Sequence, residues 1–128
     1  MSEQKAEQFI AALRELEESE NVESIVALYG ENSEIGNSTL TEPMRGTDGA
    51  REFWTSYRKT FGQISSEFKN KIHSETSSAL EWTTTGTSSD GNKISYDGVS
   101  VLEFDGDVIS RFHAYFNPAE LGKQITES

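Results

Sequence analysis

The sequence predicts an α+β domain in which three N-terminal helices cover one face of a meandering antiparallel sheet. Two observations predict this class. Apolar residues recur at helical spacing in the first half of the chain, and from Gln63 onward they alternate with polar residues as in strands. The 128 residues suit one compact domain, so a single domain is assigned to residues 1–128.

Three segments of the first half have the pattern of amphipathic helices. In the first, Phe9, Leu13 and Leu16 form one apolar stripe among glutamates. Asn21 is a suitable N-cap for a second, short helix, and Gly30 is a typical left-handed stop after it. The predicted helices are residues 4–19, a short one ending near Tyr29, and a third from Thr47 or Asp48 to about Phe61.

The second half contains segments of period two that are separated by turn-forming residues and can form hairpins. At Asp105 and Gly106, the alternation favours a three-residue bulged loop that pairs Glu103 with Asp107. Asn117 is expected to end the last strand before a frayed tail. The predicted strands are residues 63–74, 78–87, 93–104 and 107–116, with a further short strand at residues 33–38.

Even-numbered strand positions are the more apolar, so they are predicted to face the helices. This set comprises Ile64, Phe68, Ile72, Leu80, Trp82, Ile94, Tyr96, Leu102, Phe104, Val108, Phe112, Ala114 and Phe116. Odd positions are mostly polar or charged, but Val99, Val101 and Tyr115 give this outer face an apolar centre. We therefore predict a homodimer surface there that also includes Arg111 and His113.

Composition excludes several classes of function. Eleven basic against 22 acidic residues give a formal charge of −11, which disfavours nucleic acids and anionic membranes as partners. Without cysteine the chain has no disulfide, thiolate metal site or nucleophilic thiol. No apolar run approaches the roughly 20 residues that span a bilayer. We expect a cytoplasmic protein that uses neither a metal nor another cofactor.

Two strings resemble the nuclear transport factor 2 superfamily, particularly its SnoaL-like and ketosteroid-isomerase-like branches. They are NVESIVALYGENSEIGNSTLTEPMRGTDGAREFW and DGVSVLEFDGDVISRFHAYFNP. The resemblance covers nearly the whole chain. It implies a cone-shaped α+β barrel, in which a strongly curved, mixed, mainly antiparallel sheet surrounds the helices and a deep cavity opens at one end. Because such folds include enzymes, binding proteins and transport adaptors, function has to be argued from the cavity lining.

The resemblance does not extend to the catalytic residues of these families. Asn37 stands where ketosteroid isomerases have a carboxylate base, and Ser100 stands where they have a protonated acid. Ala114 occupies the position of the final-strand acid of polyketide cyclases and limonene-epoxide hydrolases. Trp82 and Thr84 replace an arginine and an aspartate of those hydrolases, in which an asparagine matching Asn37 helps to hold the attacking water.

The helix-facing side of the sheet combines aromatic residues with a few small polar ones, which predicts the binding of a small apolar molecule that is planar or cyclic and mostly neutral. An ionised ligand would need a counter-charge that this face lacks. No catalytic residue is assigned. The candidate pocket residues are Asn37, Trp54, Tyr57, Phe68, Trp82, Thr84, Tyr96, Ser100, Phe112, Ala114 and Phe116.

Two other classes of function stay open. The first is an isomerase, cyclase or epoxide hydrolase that acts through Asn37 with Tyr57 or Tyr96. A bulge in the last strand would reverse its parity and bring His113 and Arg111 into the pocket as acid/base groups. The second is a protein-interaction adaptor.

Overall fold

The computed structural model describes residues 2–126, which form four helices and one six-stranded sheet. The helices are α1 Ser2–Ser19, α2 Glu23–Val26, α3 Gly46–Lys59 and α4 Pro118–Thr126. The strands are β1 Tyr29–Asn37, β2 Met44–Arg45, β3 Phe61–His73, β4 Ser77–Ser88, β5 Lys93–Asp105 and β6 Val108–Phe116. None of the helices within these residues has the length and apolar content needed to cross a membrane.

The strands follow the order β2-β1-β6-β5-β4-β3. β1 is parallel to β6, and the other neighbouring pairs are antiparallel. This confirms the α+β class with a mixed, mainly antiparallel sheet. The strands β2 and β3 form opposite edges, so the sheet is open, which is consistent with the expected cone-shaped α+β fold. α1 packs on β3 and β4, α3 on β1, and α4 on β5.

The even-numbered side of β4 and β5 faces the helices, as predicted. Leu80 and Leu102 have no exposed surface there, and Trp82 is 6% exposed. The prediction is wrong for the end of β3, because the register shifts between Phe68 and Asn70 and reverses the side on which later residues lie. Ile72 consequently faces outward and is 60% exposed.

The hairpin between β5 and β6 differs from the predicted bulged loop. Gly106 is left-handed, with φ 60°, in a two-residue turn. Glu103 pairs with Arg111 instead of Asp107, and Ser110 is the extra residue, in β6 and outside the turn. In β6, even-numbered residues after this bulge face the helices, as predicted. Between the turn and the bulge the odd-numbered Ile109 faces them instead.

Two helix ends also differ from prediction. Gly30 does not stop a helix but lies in β1, because α2 is a single turn that ends at Val26. The third helix begins at Gly46, so Thr47 and Asp48 lie in its first turn and do not cap it. The first strand is correspondingly longer than the short one predicted.

The tail after β6 was expected to fray, but it folds as α4. The Asn117 side-chain oxygen accepts hydrogen bonds from the backbone N–H groups of Ala119 at 3.0 Å and Glu120 at 3.2 Å. Pro118 supplies the first helical residue, where a missing N–H costs nothing. Asn117 and Pro118 therefore end β6, as predicted, but they also begin a helix where a frayed tail was expected.

Arg58 joins two segments of backbone inside the protein, the end of α1 and the start of β3. It is 8% exposed, and its guanidinium group donates hydrogen bonds to the carbonyl oxygens of Leu16 at 3.3 Å, Phe61 at 2.9 Å and Gly62 at 3.2 Å. The Leu16 carbonyl, in the last turn of α1, also accepts the backbone N–H of Glu20 at 3.0 Å, so the guanidinium group is its second donor. The buried cation thus fixes the end of α1 against the start of β3.

Candidate functional site

A cavity of about 360 Å³ lies between the inner face of the sheet and helices α1, α3 and α4. This volume is near the lower end of the roughly 300–1,000 Å³ typical of small-molecule sites. Leu13 lines it from α1, Trp54 and Tyr57 from α3, and Leu121 and Ile125 from α4. The cavity therefore depends on packing between helices and sheet.

One wall of the cavity is built around Trp54. Its ring lies edge-on to Tyr57, with centroids 5.3 Å apart, and 5.2 Å from the ring of Phe112. The indole N–H donates to the Tyr29 hydroxyl at 3.2 Å, which satisfies this polar atom within the core. Trp54 therefore offers apolar surface to the cavity.

Trp82 forms the opposite aromatic wall together with Tyr96, whose ring is edge-on to it at 5.3 Å. Its indole N–H donates to the Ser100 hydroxyl at 2.9 Å. The indole lies over Gly98, its partner on β5, so closely that a Cβ atom there would be 2.5 Å from ring carbon Cζ2. The position of this wall thus requires glycine at residue 98.

The polar atoms of the lining are few. The Asn37 side-chain oxygen accepts hydrogen bonds from the backbone N–H of Thr39 at 2.9 Å and from its hydroxyl at 2.6 Å. Deeper in the cavity, the Ser66 and Thr84 hydroxyl oxygens are 2.7 Å apart. Asn37 is thus engaged in a turn after β1, where its amide N–H₂ is the group still able to donate to a ligand.

α4 covers one side of the cavity and is fixed to the sheet by two hydrogen bonds. The Asn92 side chain donates to the Ile125 carbonyl oxygen at 2.7 Å, and the Ser95 backbone N–H donates to the Gln124 side-chain oxygen at 2.6 Å. Sequence reasoning missed this element. The spacing of Leu121 and Ile125, four residues apart, is the helical signal that could have revealed it.

A buried carboxyl group adjoins the cavity and was also missed. Glu17 is 6% exposed, and its Oε2 atom has no hydrogen-bond partner within residues 2–126. Burial raises the pKa of this carboxyl, while contact with the Ser66 hydroxyl and backbone partly offsets that effect. Glu17 follows Leu13 by four residues, so it continues the apolar stripe of α1 that faces the core.

Most of the predicted pocket residues line the cavity, and two do not. Phe68 is half-buried at the edge of the core. Ser100 is buried beneath Trp82, and its hydroxyl oxygen accepts a hydrogen bond from the indole N–H. The predicted residues in the lining are Asn37, Trp54, Tyr57, Trp82, Thr84, Tyr96, Phe112, Ala114 and Phe116.

The outer face of β5 and β6 carries the predicted dimer residues. Val99 pairs with Tyr115, and Val101 pairs with His113. Arg111 forms an ion pair with Glu103 at 3.3 Å on this face. Burial, followed by the charge of Arg111, lowers the pKa of His113. The Ser110 bulge precedes these residues, so His113 and Arg111 stay outside the cavity.

Comparisons with known proteins agree with this geometry. A sequence model described as the SnoaL-like domain matches residues 6–112. A search of curated proteins finds no match. Among solved structures, an NTF2-like protein of unknown function from Burkholderia pseudomallei K96243 is 17% identical, with a TM-score of 0.85 over 98% of this chain and 99% of that chain.

Two further solved structures share the fold. TerC, co-crystallised with polyporic acid, is 16% identical, with a TM-score of 0.81 over 95% of each chain. An LEH-like epoxide hydrolase from M. tuberculosis is 14% identical, with a TM-score of 0.73 over 95% of this chain and 90% of that chain. At such identities these likenesses show the fold alone.

Proposed function

The chain belongs to the SnoaL-like domain family, and on that premise we propose that it binds a small, uncharged, largely apolar molecule in the cavity. One observation carries the proposal: among the described residues, no side chain that lines the cavity is charged. Burial of a ligand's carbon surface contributes roughly 25 cal/mol per Å². An ionised ligand would lose its hydration without gaining a counter-charge.

The aromatic walls favour a planar or cyclic ligand. Trp54 and Trp82 both have their N–H groups occupied, so a ligand there meets ring faces and edges. Asn37, Ser66 and Thr84 supply isolated polar contacts that would fix its orientation.

We assign no reaction to the cavity. The Asn37 oxygen, which an enzyme would need to hold water, is engaged by Thr39. Ala114, in the final strand, has no group that could move a proton. An enzymatic role would therefore have to use groups other than those that the related hydrolases and isomerases use.

Filling the cavity should abolish binding. We expect Ala114→Phe to weaken the binding of tetralin, a bicyclic hydrocarbon, at least tenfold, because the new ring occupies ligand space. The measurement is isothermal titration calorimetry, with far-UV circular dichroism to verify folding. Thr85→Phe adds the same ring on the exposed side of β4 and should leave the affinity unchanged. Equal affinities in both variants, or no saturable binding to the native protein, would contradict the proposal.

We also propose that the outer sheet face forms a homodimer. Val99 and Val101 are half-buried there, and Tyr115 is 47% exposed, although it is a large aromatic residue. Association would bury this apolar centre, with Arg111 and His113 beside it.

A charge at the centre of this face should prevent association. Val101→Arg is expected to give monomers by size-exclusion chromatography with light scattering, since two guanidinium groups would meet near the symmetry axis. Val101→Ile keeps the apolar surface and should remain dimeric. A monomeric native protein, or a Val101→Arg dimer of unchanged mass, would contradict this interface.

A further inference from the structure

Three hydroxyl-bearing residues form one cross-strand row on the wall of the cavity. Ser66 of β3 pairs with Thr84 of β4, which in turn pairs with Tyr96 of β5. All three line the cavity, and each is more than nine-tenths buried. The residues that precede Thr84 on the same face of β4 are Trp82 and Leu80. The row is therefore a polar patch in a wall that is otherwise largely apolar.

The hydroxyl groups of Ser66 and Thr84 have a proton to spare. Their oxygens are 2.7 Å apart, so one hydroxyl donates to the other, whichever of them is the donor. The second proton has no acceptor, because neither hydroxyl makes another hydrogen bond within residues 2–126. Nor does this proton reach Glu17 Oε2, which has no hydrogen-bond partner in the same part of the chain.

Packing does not explain this pair of hydroxyls. Alanine and valine have nearly the shapes of serine and threonine, and valine is well suited to a strand. Replacing Ser66 and Thr84 in this way would remove a buried donor whose lack of an acceptor costs free energy. The polar pair therefore favours a ligand atom as the acceptor of the second proton.

We propose that the Ser66–Thr84 pair anchors an uncharged oxygen acceptor, so that the cavity takes cyclic apolar molecules carrying a carbonyl or ether oxygen at one end. This inference rests on the proposed binding function. A hydrocarbon in the same place would cover the spare proton without accepting it, whereas a carbonyl oxygen accepts it. A carboxylate is a stronger acceptor, but it would find no cationic side chain among the described residues that line the cavity.

The anchor is distant from Asn37, whose amide N–H₂ is another donor in the lining. Asn37 lies in the cross-strand row that ends at Leu80 on β4. Leu80 and Thr84 are four residues apart on this strand, so the two rows are separated by about 13 Å along it. One ligand oxygen can therefore contact the hydroxyl pair or Asn37, but not both.

Two probes of one bicyclic skeleton test the inference, since 1-tetralone carries a carbonyl oxygen and tetralin carries none. Isothermal titration calorimetry gives their dissociation constants for the native protein and for Ser66→Ala/Thr84→Val, which removes both hydroxyls because either can donate. We expect this double variant to bind 1-tetralone about fivefold more weakly relative to tetralin. Its melting temperature should be unchanged or higher, because apolar groups of the same shape replace both partners.

The neighbouring residues provide a matched control. Ser65 and Thr85 pair with each other on the outer side of the same strands, where both are exposed. Ser65→Ala/Thr85→Val should keep the native ratio of the two affinities. The native ratio should also be the same at about pH 6 and about pH 8, because serine and threonine hydroxyls do not ionise there.

Infrared spectroscopy of the native complex gives a second measurement of the same contact. A hydrogen bond to the carbonyl oxygen weakens the C=O bond, so the stretching band of bound 1-tetralone should lie at lower frequency than in hexane. In Ser66→Ala/Thr84→Val the band should return toward its position in hexane. An unshifted band in the native protein would overturn the anchor.

The two proposals fail in different ways. An unchanged ratio of affinities in Ser66→Ala/Thr84→Val, with tetralin still bound, would overturn the anchor and leave the binding function intact. A native protein that binds neither probe would overturn both. Loss of the ketone preference in Asn37→Ala instead, or a native ratio that changes with pH, would assign the ligand oxygen to another group and refute this inference.

Discussion

Replacing Arg58 with methionine is expected to lower the free energy of unfolding by about 2–4 kcal/mol. Methionine fills much of the same space but removes the guanidinium donor from the carbonyl groups of Leu16, Phe61 and Gly62. Of these, Leu16 keeps the Glu20 N–H and Gly62 is exposed, so the main loss is at the buried Phe61. Because the loss is one of hydrogen bonding within an unchanged fold, urea denaturation should show a lower midpoint at the same slope.

The matched control for this prediction lies on the same helix. Arg51 is exposed and pairs with Glu23 at 2.6 Å, so water screens the pair and Arg51→Met should leave the urea midpoint nearly unchanged. Similar midpoints for the Arg58 and Arg51 variants would show that the buried guanidinium group contributes no more than a surface ion pair. The junction of α1 and β3 would then have to be held by apolar packing.

Gly98→Ala is expected to destabilise the protein by about 3 kcal/mol and to abolish tetralin binding. The added methyl carbon would lie 2.5 Å from Trp82 Cζ2 and 2.6 Å from the backbone oxygen of Tyr115. The methyl group lies between the backbone of β6 on one side and the indole on the other, so the clash can be relieved only if Trp82 moves. Thermal unfolding measures the loss of stability, and isothermal titration calorimetry measures the loss of tetralin binding. Tryptophan fluorescence reports the displacement of Trp82, because the indole would lose its hydrogen bond to Ser100.

Gly122→Ala is the control for this substitution. A Cβ atom on Gly122 has no heavy atom within 4 Å, and the residue lies inside α4. Alanine should therefore stabilise the helix by about 0.5–1 kcal/mol. A Gly98 variant with native stability and an unshifted emission spectrum would show that the indole can move away at little cost.

Alternation of apolar residues was sufficient to predict the sheet wherever strands run without interruption. In β4 and β5 the even positions from Leu80 to Leu102 face the helices, because successive side chains of an uninterrupted strand point to opposite faces of the sheet. The method fails where one residue is added. The bulges at Lys69 and Ser110 change the pairing of β3 and β6. An alternating pattern of apolar residues does not reveal where such an extra residue lies.

The cavity was harder to predict than the sheet, because part of its surroundings contradicts the usual preferences of residues. Glu17 and Arg58 are charged, so patterning assigns both to solvent, although the structure buries them. Arg58 is buried because carbonyl oxygens of distant segments accept its hydrogen bonds, whereas Glu17 is buried although its Oε2 atom has no hydrogen-bond partner among residues 2–126. Phe68 and Ser100 are on the helix-facing side of the sheet, as their even numbers predict, but neither lines the cavity. Phe68 lies at the edge of the core, and Ser100 lies beneath the ring of Trp82.

The parallel pairing of β1 with β6 affects how the chain is made. β6 begins at Val108, about 70 positions after β1 ends at Asn37, so at roughly 5–20 residues per second the ribosome leaves β1 without its partner for several seconds. Ile35, which is fully buried in the finished protein, is uncovered during that interval. Glu31 and Glu34 place charged side chains on the same strand, a feature that disfavours pairing of an uncovered strand edge with another chain.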